Sequence, residues 1–151
     1  MKTFTTLAII SLFIMSLSCC KKQSISTFEN SKTLIVGKWF VKSSASRLYY
    51  NGTEVDSTFN SNFTTDDYAE YFNDGTGFFS SRSLPSPSLI TFKYTIAGQN
   101  LTQINGVNTP ATSETITVLT TKSLSFNYTL LVNDPNSGKI FTEKNVYDFS
   151  K

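Results

Sequence analysis

Apolar and polar residues alternate with a period of two along most of the chain, the pattern of strands with one buried face. Leu89–Ala97 shows it cleanly, with Ile90, Phe92, Tyr94 and Ile96 on one side and Thr91, Lys93 and Thr95 on the other. In Leu124–Val132, Leu124, Phe126, Tyr128, Leu130 and Val132 alternate with Ser125, Asn127 and Thr129. A long first strand is predicted from about Ile35 to Tyr50. It stops at Asn51-Gly52, a pair that tolerates the positive φ of a two-residue hairpin turn. Glu54-Val55-Asp56 is expected to pair back briefly, and the polar stretch Ser57–Asp67 to cross as a loop. Tyr68–Phe72 and Thr76–Ser81 flank a second hairpin signal, Asn73-Asp74-Gly75. The prolines of 83–88 cannot donate to a ladder and mark a loop.

Farther on, Gly98-Gln99-Asn100 turns the chain into Leu101–Ile104, and 105–113 is a loop. Glu114–Leu119 then pairs with Leu124–Val132, and Lys139–Phe149 follows the turn Asp134–Gly138. In this last strand the apolar phase shifts between Ile140 or Phe141 and the pair Tyr147 and Phe149, which predicts a bulge. About eight strands joined by short hairpins result. The predicted class is all-β, a small eight-stranded antiparallel up-and-down barrel, because closure removes exposed edges. A two-sheet sandwich is the competing closure, and periodicity does not separate the two.

The first residues follow another rule. Lys2 precedes an apolar run from Thr3 to Ser18 that is shorter than the ~20 residues of a membrane-spanning helix. Such a run fits a cleavable export signal. It ends at Cys19-Cys20, the chain's only cysteines. Leu17-Ser18-Cys19-Cys20 resembles the lipobox of bacterial lipoproteins, an aliphatic residue three places before the acylated cysteine. Ser16-Leu17-Ser18-Cys19 is the alternative register, so lipidation is expected at Cys20 (or Cys19). Residues 1–19 are then signal peptide, 20–33 the lipidated N-terminus and a flexible polar tether, and 34–151 the folded domain. The resemblance implies anchoring by acyl chains. No Asp follows either cysteine, which in the lipoprotein sorting rule points to the outer membrane. Which membrane face the domain occupies stays open.

Composition narrows the chemistry. Among 151 residues there is no histidine, which removes imidazole bases, Ser-His-Asp triads and His-ligated metals. The net charge of +2 offers no electrostatic reason to seek nucleic acid. Asp66, Asp67, Glu70 and Asp74 bracket a loop and hairpin and read as turn formers, not as a hydrolytic pair or a Ca²⁺ loop. Neither an enzyme, nor a cofactor, nor a metal is expected. With the lipidated sulfur consumed, no internal disulfide remains for the mature domain, which is expected to be a monomer stabilised by its core.

Gly37-Lys38-Trp39 resembles the G-x-W of a lipocalin first strand. Tyr71-Phe72-Asn73-Asp74-Gly75-Thr76-Gly77, Phe92–Ile96 before Leu101, and Ile116–Leu119 before Ser123–Phe126 match in style. Together they resemble the lipocalin-like domain of small Gram-negative lipoproteins. The likeness implies that Gly37 and Trp39 plug the closed end. In lipocalins a late arginine stacks on this tryptophan; here the cation would have to be Lys144 or Lys151, or be absent. It also implies a small hydrophobic or amphipathic ligand inside the barrel, although the same rings could simply fill it. Phe72, Phe78, Phe92, Tyr94, Phe126 and Tyr128 are the candidate cavity residues. The alternative is an interaction module docking a protein or glycan through the loops at 57–67, 82–88 and 105–113.

Overall fold

The computed structural model describes residues 30–82, 89–106 and 110–151. The leader, Cys19 and Cys20, the tether up to residue 29 and the proline loop 83–88 lie outside the described residues. The elements are α1 (Ser31–Ile35), β1 (Gly37–Tyr50), β2 (Thr53–Asn60), β3 (Tyr68–Tyr71), β4 (Thr76–Ser80), β5 (Ile90–Ala97), β6 (Asn100–Ile104), β7 (Thr112–Leu119), β8 (Ser123–Asn133) and β9 (Ile140–Ser150). All pairings are antiparallel between neighbours in the order β2-β1-β3-β4-β5-β6-β7-β8-β9, and β1 also pairs with β9. The first four residues of β1 (37–40) pair with β3, and its other edge runs along β9 from Phe40 to Tyr49. Eight strands, β1 and β3 to β9, thus close a barrel. The sandwich is excluded.

Inward positions make one core: Trp39, Tyr71, Leu101, Ile116 and Leu124 are fully buried, with Phe92, Tyr94, Ile96, Phe126 and Phe149 around them. On β7 a register shift between Ile116 and Val118 lets both Ile116 and Leu119 face inward, although strict alternation would separate them. Gly77 sits opposite Phe92 across the β4–β5 pair. A Cβ there would run into the Phe92 ring and the Glu70 carbonyl, so only glycine permits this approach.

Two expectations are corrected. The polar segment beginning at Ser57 is not wholly a loop, because strand β2 continues to Asn60 and its eight residues are all exposed. With neither face buried, no alternation marked it. The bulge expected in the last strand is absent: β8 and β9 pair without a break from Ser123↔Ser150 to Asn133↔Ile140. Phe141, Tyr147 and Phe149 share a parity, and Ile140 points outward instead. The irregularity lies on β1, between Val41 and Ser43, opposite β9.

β1, β8 and β9 outrun the barrel. Beyond it they form, with β2, a four-stranded platform in the order β2-β1-β9-β8. Two serines secure it from outside, as Ser43 and Ser125 each donate a hydrogen bond of 2.7 Å to the Asp148 carboxylate.

Candidate functional site

The two ends of the barrel differ. At the closed end α1 lies across the opening and buries Ser31 and Ile35 completely or nearly so. Trp39, 0% exposed, donates its indole N–H to the Ile35 carbonyl at 2.6 Å. Lys151 donates from Nζ to the carbonyls of Leu34 (3.2 Å) and Val36 (2.8 Å), helix-end acceptors that lack intrahelical partners. The same ammonium stands 4.3 Å from the Trp39 ring centroid. Lys151 is therefore the cation over the plug, while Lys144 stands over Tyr49. Gly37 has φ +119°, and a Cβ there would press on Lys151 Cε at 3.3 Å. Gly37 and Trp39 both belong to this closure.

The opposite end opens into a cavity of ≈ 160 Å³ inside the barrel. Its walls include the rings of Tyr71, Phe92, Phe126, Tyr128 and Tyr147. Tyr71 meets Phe92 at 5.3 Å and Tyr94 edge-on at 5.1 Å; Phe126 lies 5.3 Å from Phe149; Tyr128 and Tyr147 stack at 6.2 Å. Gln103, Asn105 and Glu114 are the polar groups of the lining. Gln103 Nε2 donates to Glu114 Oε2 at 2.7 Å and to the Tyr71 hydroxyl at 3.3 Å. Glu114 is only 6% exposed, and burial pushes its carboxyl from 4.5 up to about 7, against the lowering effect of the Gln103 hydrogen bond. Burial also raises the phenol of Tyr71, helped by the charge of Glu114. Tyr128 is raised as well, first by burial and then by Tyr147, Glu114 and Glu143.

The six candidate cavity residues divide. Phe92, Phe126 and Tyr128 line the cavity. Tyr94 faces inward below it, and its hydroxyl donates to the Phe72 carbonyl at 2.6 Å. Phe72 and Phe78 do not face inward. They lie 5.8 Å apart on the outer face, next to Tyr68, over whose ring Lys38 is poised at 3.4 Å. Each has an aromatic neighbour in sequence, Tyr71-Phe72 and Phe78-Phe79, and it is Tyr71 and Phe79 that turn in. A period of two cannot tell which member of an aromatic pair faces the core.

Glu114, Gln103, Tyr71 and Tyr147 were not among the candidates, yet parity marked them. Glu114 is in phase with Ile116, Gln103 with Leu101, Tyr71 with Ala69, and Tyr147 with Phe149. A polar residue in phase with a buried apolar face is an inward polar residue.

Asp67 is buried for a different purpose. It accepts hydrogen bonds from the Thr64 amide and hydroxyl, the Ser81 hydroxyl and the Arg82 amide, so it ties the β2–β3 loop to the end of β4. Burial would raise its carboxyl, but these bonds, led by the backbone amides of Thr64 and Arg82, outweigh it and hold the group low. Asp74 accepts from the Thr76 amide and hydroxyl inside its own turn. Asp66 stands exposed beside Asp67, and Glu70 lies half-buried on β3.

Compared with protein-family models, curated proteins and solved structures, the chain matches none.

Proposed function

We propose that the protein is an envelope lipoprotein, held to the outer membrane by acyl chains on Cys20 (or Cys19), whose barrel takes up a small amphipathic molecule through its open end. The observation that supports this reading is the ring-lined cavity into which a few polar groups, Gln103 and Glu114 among them, converge. An apolar wall with a few convergent polar groups is the ordinary make-up of a small-molecule site. The volume of ≈ 160 Å³ suits one ring, since an apolar void of about 150 Å³ admits benzene. Larger ligands occupy about 300–1,000 Å³, so a longer molecule would insert one end only.

The test is mass spectrometry on the full-length protein purified from membranes. Two results are expected: an intact mass that includes acyl chains, and a ring-bearing small molecule released on denaturation in near-stoichiometric amount. A protein that carries neither, and that binds no ring-sized probe, ends the proposal.

One observation favours a second reading, a docking module. The platform beyond the barrel exposes large apolar side chains, with Phe59 at 70%, Leu131 at 76% and Ile140 at 62%. Phe59 lies in the 57–67 segment expected to dock, whereas Leu131 and Ile140 lie outside the expected loops, of which 83–88 and 107–109 fall outside the described residues. Crosslinking from Phe59 and Leu131 positions in intact cells would capture one recurrent partner if this reading holds.

A further inference from the structure

The cavity has a sign. Among the described residues its lining contains one carboxyl group, Glu114, and no lysine or arginine. Gln103 is the only hydrogen-bond partner of that carboxyl among the described residues, and it occupies Oε2. The groups facing it are Tyr71 from β3, Gln103 from β6, Tyr128 from β8 and Tyr147 from β9. None of them is a cation, and each tyrosine also offers an aromatic ring. A further acidic group, Glu143 on β9, acts on Tyr128 and accepts the Ser46 hydroxyl at 2.7 Å. Arg47 on β1 and Lys144 on β9, which pair across that ladder, alternate to the other face of the platform, where Arg47 approaches Glu54 and Lys144 covers Tyr49.

From this arrangement we infer that the barrel cavity selects a small organic cation: an amine carrying one ring-sized apolar group, its ammonium seated on Glu114 and against the surrounding rings. The inference rests on the small-molecule reading above and goes beyond it by naming the ligand's charge. Three physical reasons carry it. A buried carboxylate without a cation is strained by desolvation, and an ammonium relieves that strain while losing its own hydration to a charge-assisted hydrogen bond. Ring faces attract cations, most strongly where water is excluded. An anion would meet Glu114 with no positive group to offset it, and a neutral molecule would bring no charge to balance that of the carboxylate.

Binding is then coupled to protons. Burial holds Glu114 half-protonated near pH 7 in the empty barrel, and the incoming ammonium requires it ionised. Affinity for an amine therefore rises as pH climbs from 5.5 to 8, by ten-fold or more, and binding near pH 7 releases a proton.

The experiment is titration calorimetry on the full-length chain in lipid nanodiscs, with benzylamine, benzyl alcohol and phenylacetate as probes. At pH 8 benzylamine is expected to bind at least ten-fold more tightly than benzyl alcohol, with phenylacetate weakest. The benzylamine advantage should shrink at pH 5.5 while benzyl alcohol stays constant. Glu114→Gln should lose the preference and keep benzyl alcohol binding, which also reports that the variant is folded. Equal binding of amine and alcohol, or a preference that survives Glu114→Gln, overturns the inference and leaves the small-molecule reading intact. If none of the three probes binds, both fall together. The wild-type pH series decides the matter even if the variant does not fold.

Discussion

Trp39 and Lys151 make a single closure. One indole and one ammonium satisfy three carbonyls at the end of α1, and the ammonium also covers the indole. Lys151→Met leaves two of those acceptors without a donor and removes the cation from the ring, at a cost of about 1–2 kcal/mol. Urea unfolding measures it, with Lys144→Met, over the exposed side of Tyr49, expected to stay within about 0.5 kcal/mol of wild type. Glu114 and Asp67 have opposite pH signatures. The folded state raises Glu114 from 4.5 to about 7, so its contribution is fully present below pH 4.5 and is lost as pH rises through 7. That difference corresponds to about 2–3 kcal/mol between pH 5 and pH 8. Glu114→Gln should flatten the profile and be the more stable protein at pH 8. Asp67 is held below 3.8, so its contribution is present above that value and is lost as pH falls through the lowered one. Urea midpoints for Asp67→Asn and wild type should therefore converge in strong acid and differ at pH 6.

At the scale of elements, the strands divide into those that enclose the core and those that extend past it. Leu124 and Leu131 lie on one strand, yet the first is 0% and the second 76% exposed. Leu124→Ala is expected to cost about 2–5 kcal/mol by opening a core void. Leu131→Thr should change stability by less than about 0.5 kcal/mol, and a large loss there would mean the platform is covered in solution. Gly77→Ala tests the β4–β5 approach: the added methyl group must displace the Phe92 ring or the Glu70 carbonyl, and about 1–3 kcal/mol is expected. Most strands were legible because one face of each is buried, which imposes the period of two. β2 was legible only in its opening, Glu54-Val55-Asp56, and not in its continuation to Asn60, since both its faces meet water and no alternation marks it. Its pairing follows from the Asn51-Gly52 turn and the free edge of β1.

At the scale of the molecule, closure joins the most distant parts of the chain. The Ser43–Asp148 hydrogen bond alone spans 105 residues, and β1 lies against β9 over most of its length. Such non-local pairing makes folding slow, since the loop entropy must be lost before the contacts form. Stopped-flow refolding is expected on a millisecond-to-second timescale, with one cooperative equilibrium transition. Val41→Ala, on β1 opposite Phe149, should lower that transition as a whole without splitting it. The candidate site also exists only at this scale. Tyr71, Gln103, Glu114 and Tyr147 come from four strands and share a cavity because the sheet curves back on itself.

Alternation and turn chemistry by themselves determined the all-β class, nearly every strand and the hairpins, because a half-buried strand leaves its period in the residues that compose it. The place of Trp39 at the closed end was expected from the resemblance of Gly37-Lys38-Trp39 to the lipocalin G-x-W, not from alternation. Tertiary structure alone chose between barrel and sandwich, turned Phe72 and Phe78 outward, moved the expected bulge from β9 to β1 and brought Lys151 to the indole. Each of these depends on which strand lies beside which, and on how many residues separate partners across a ladder. Two-residue periodicity carries neither quantity.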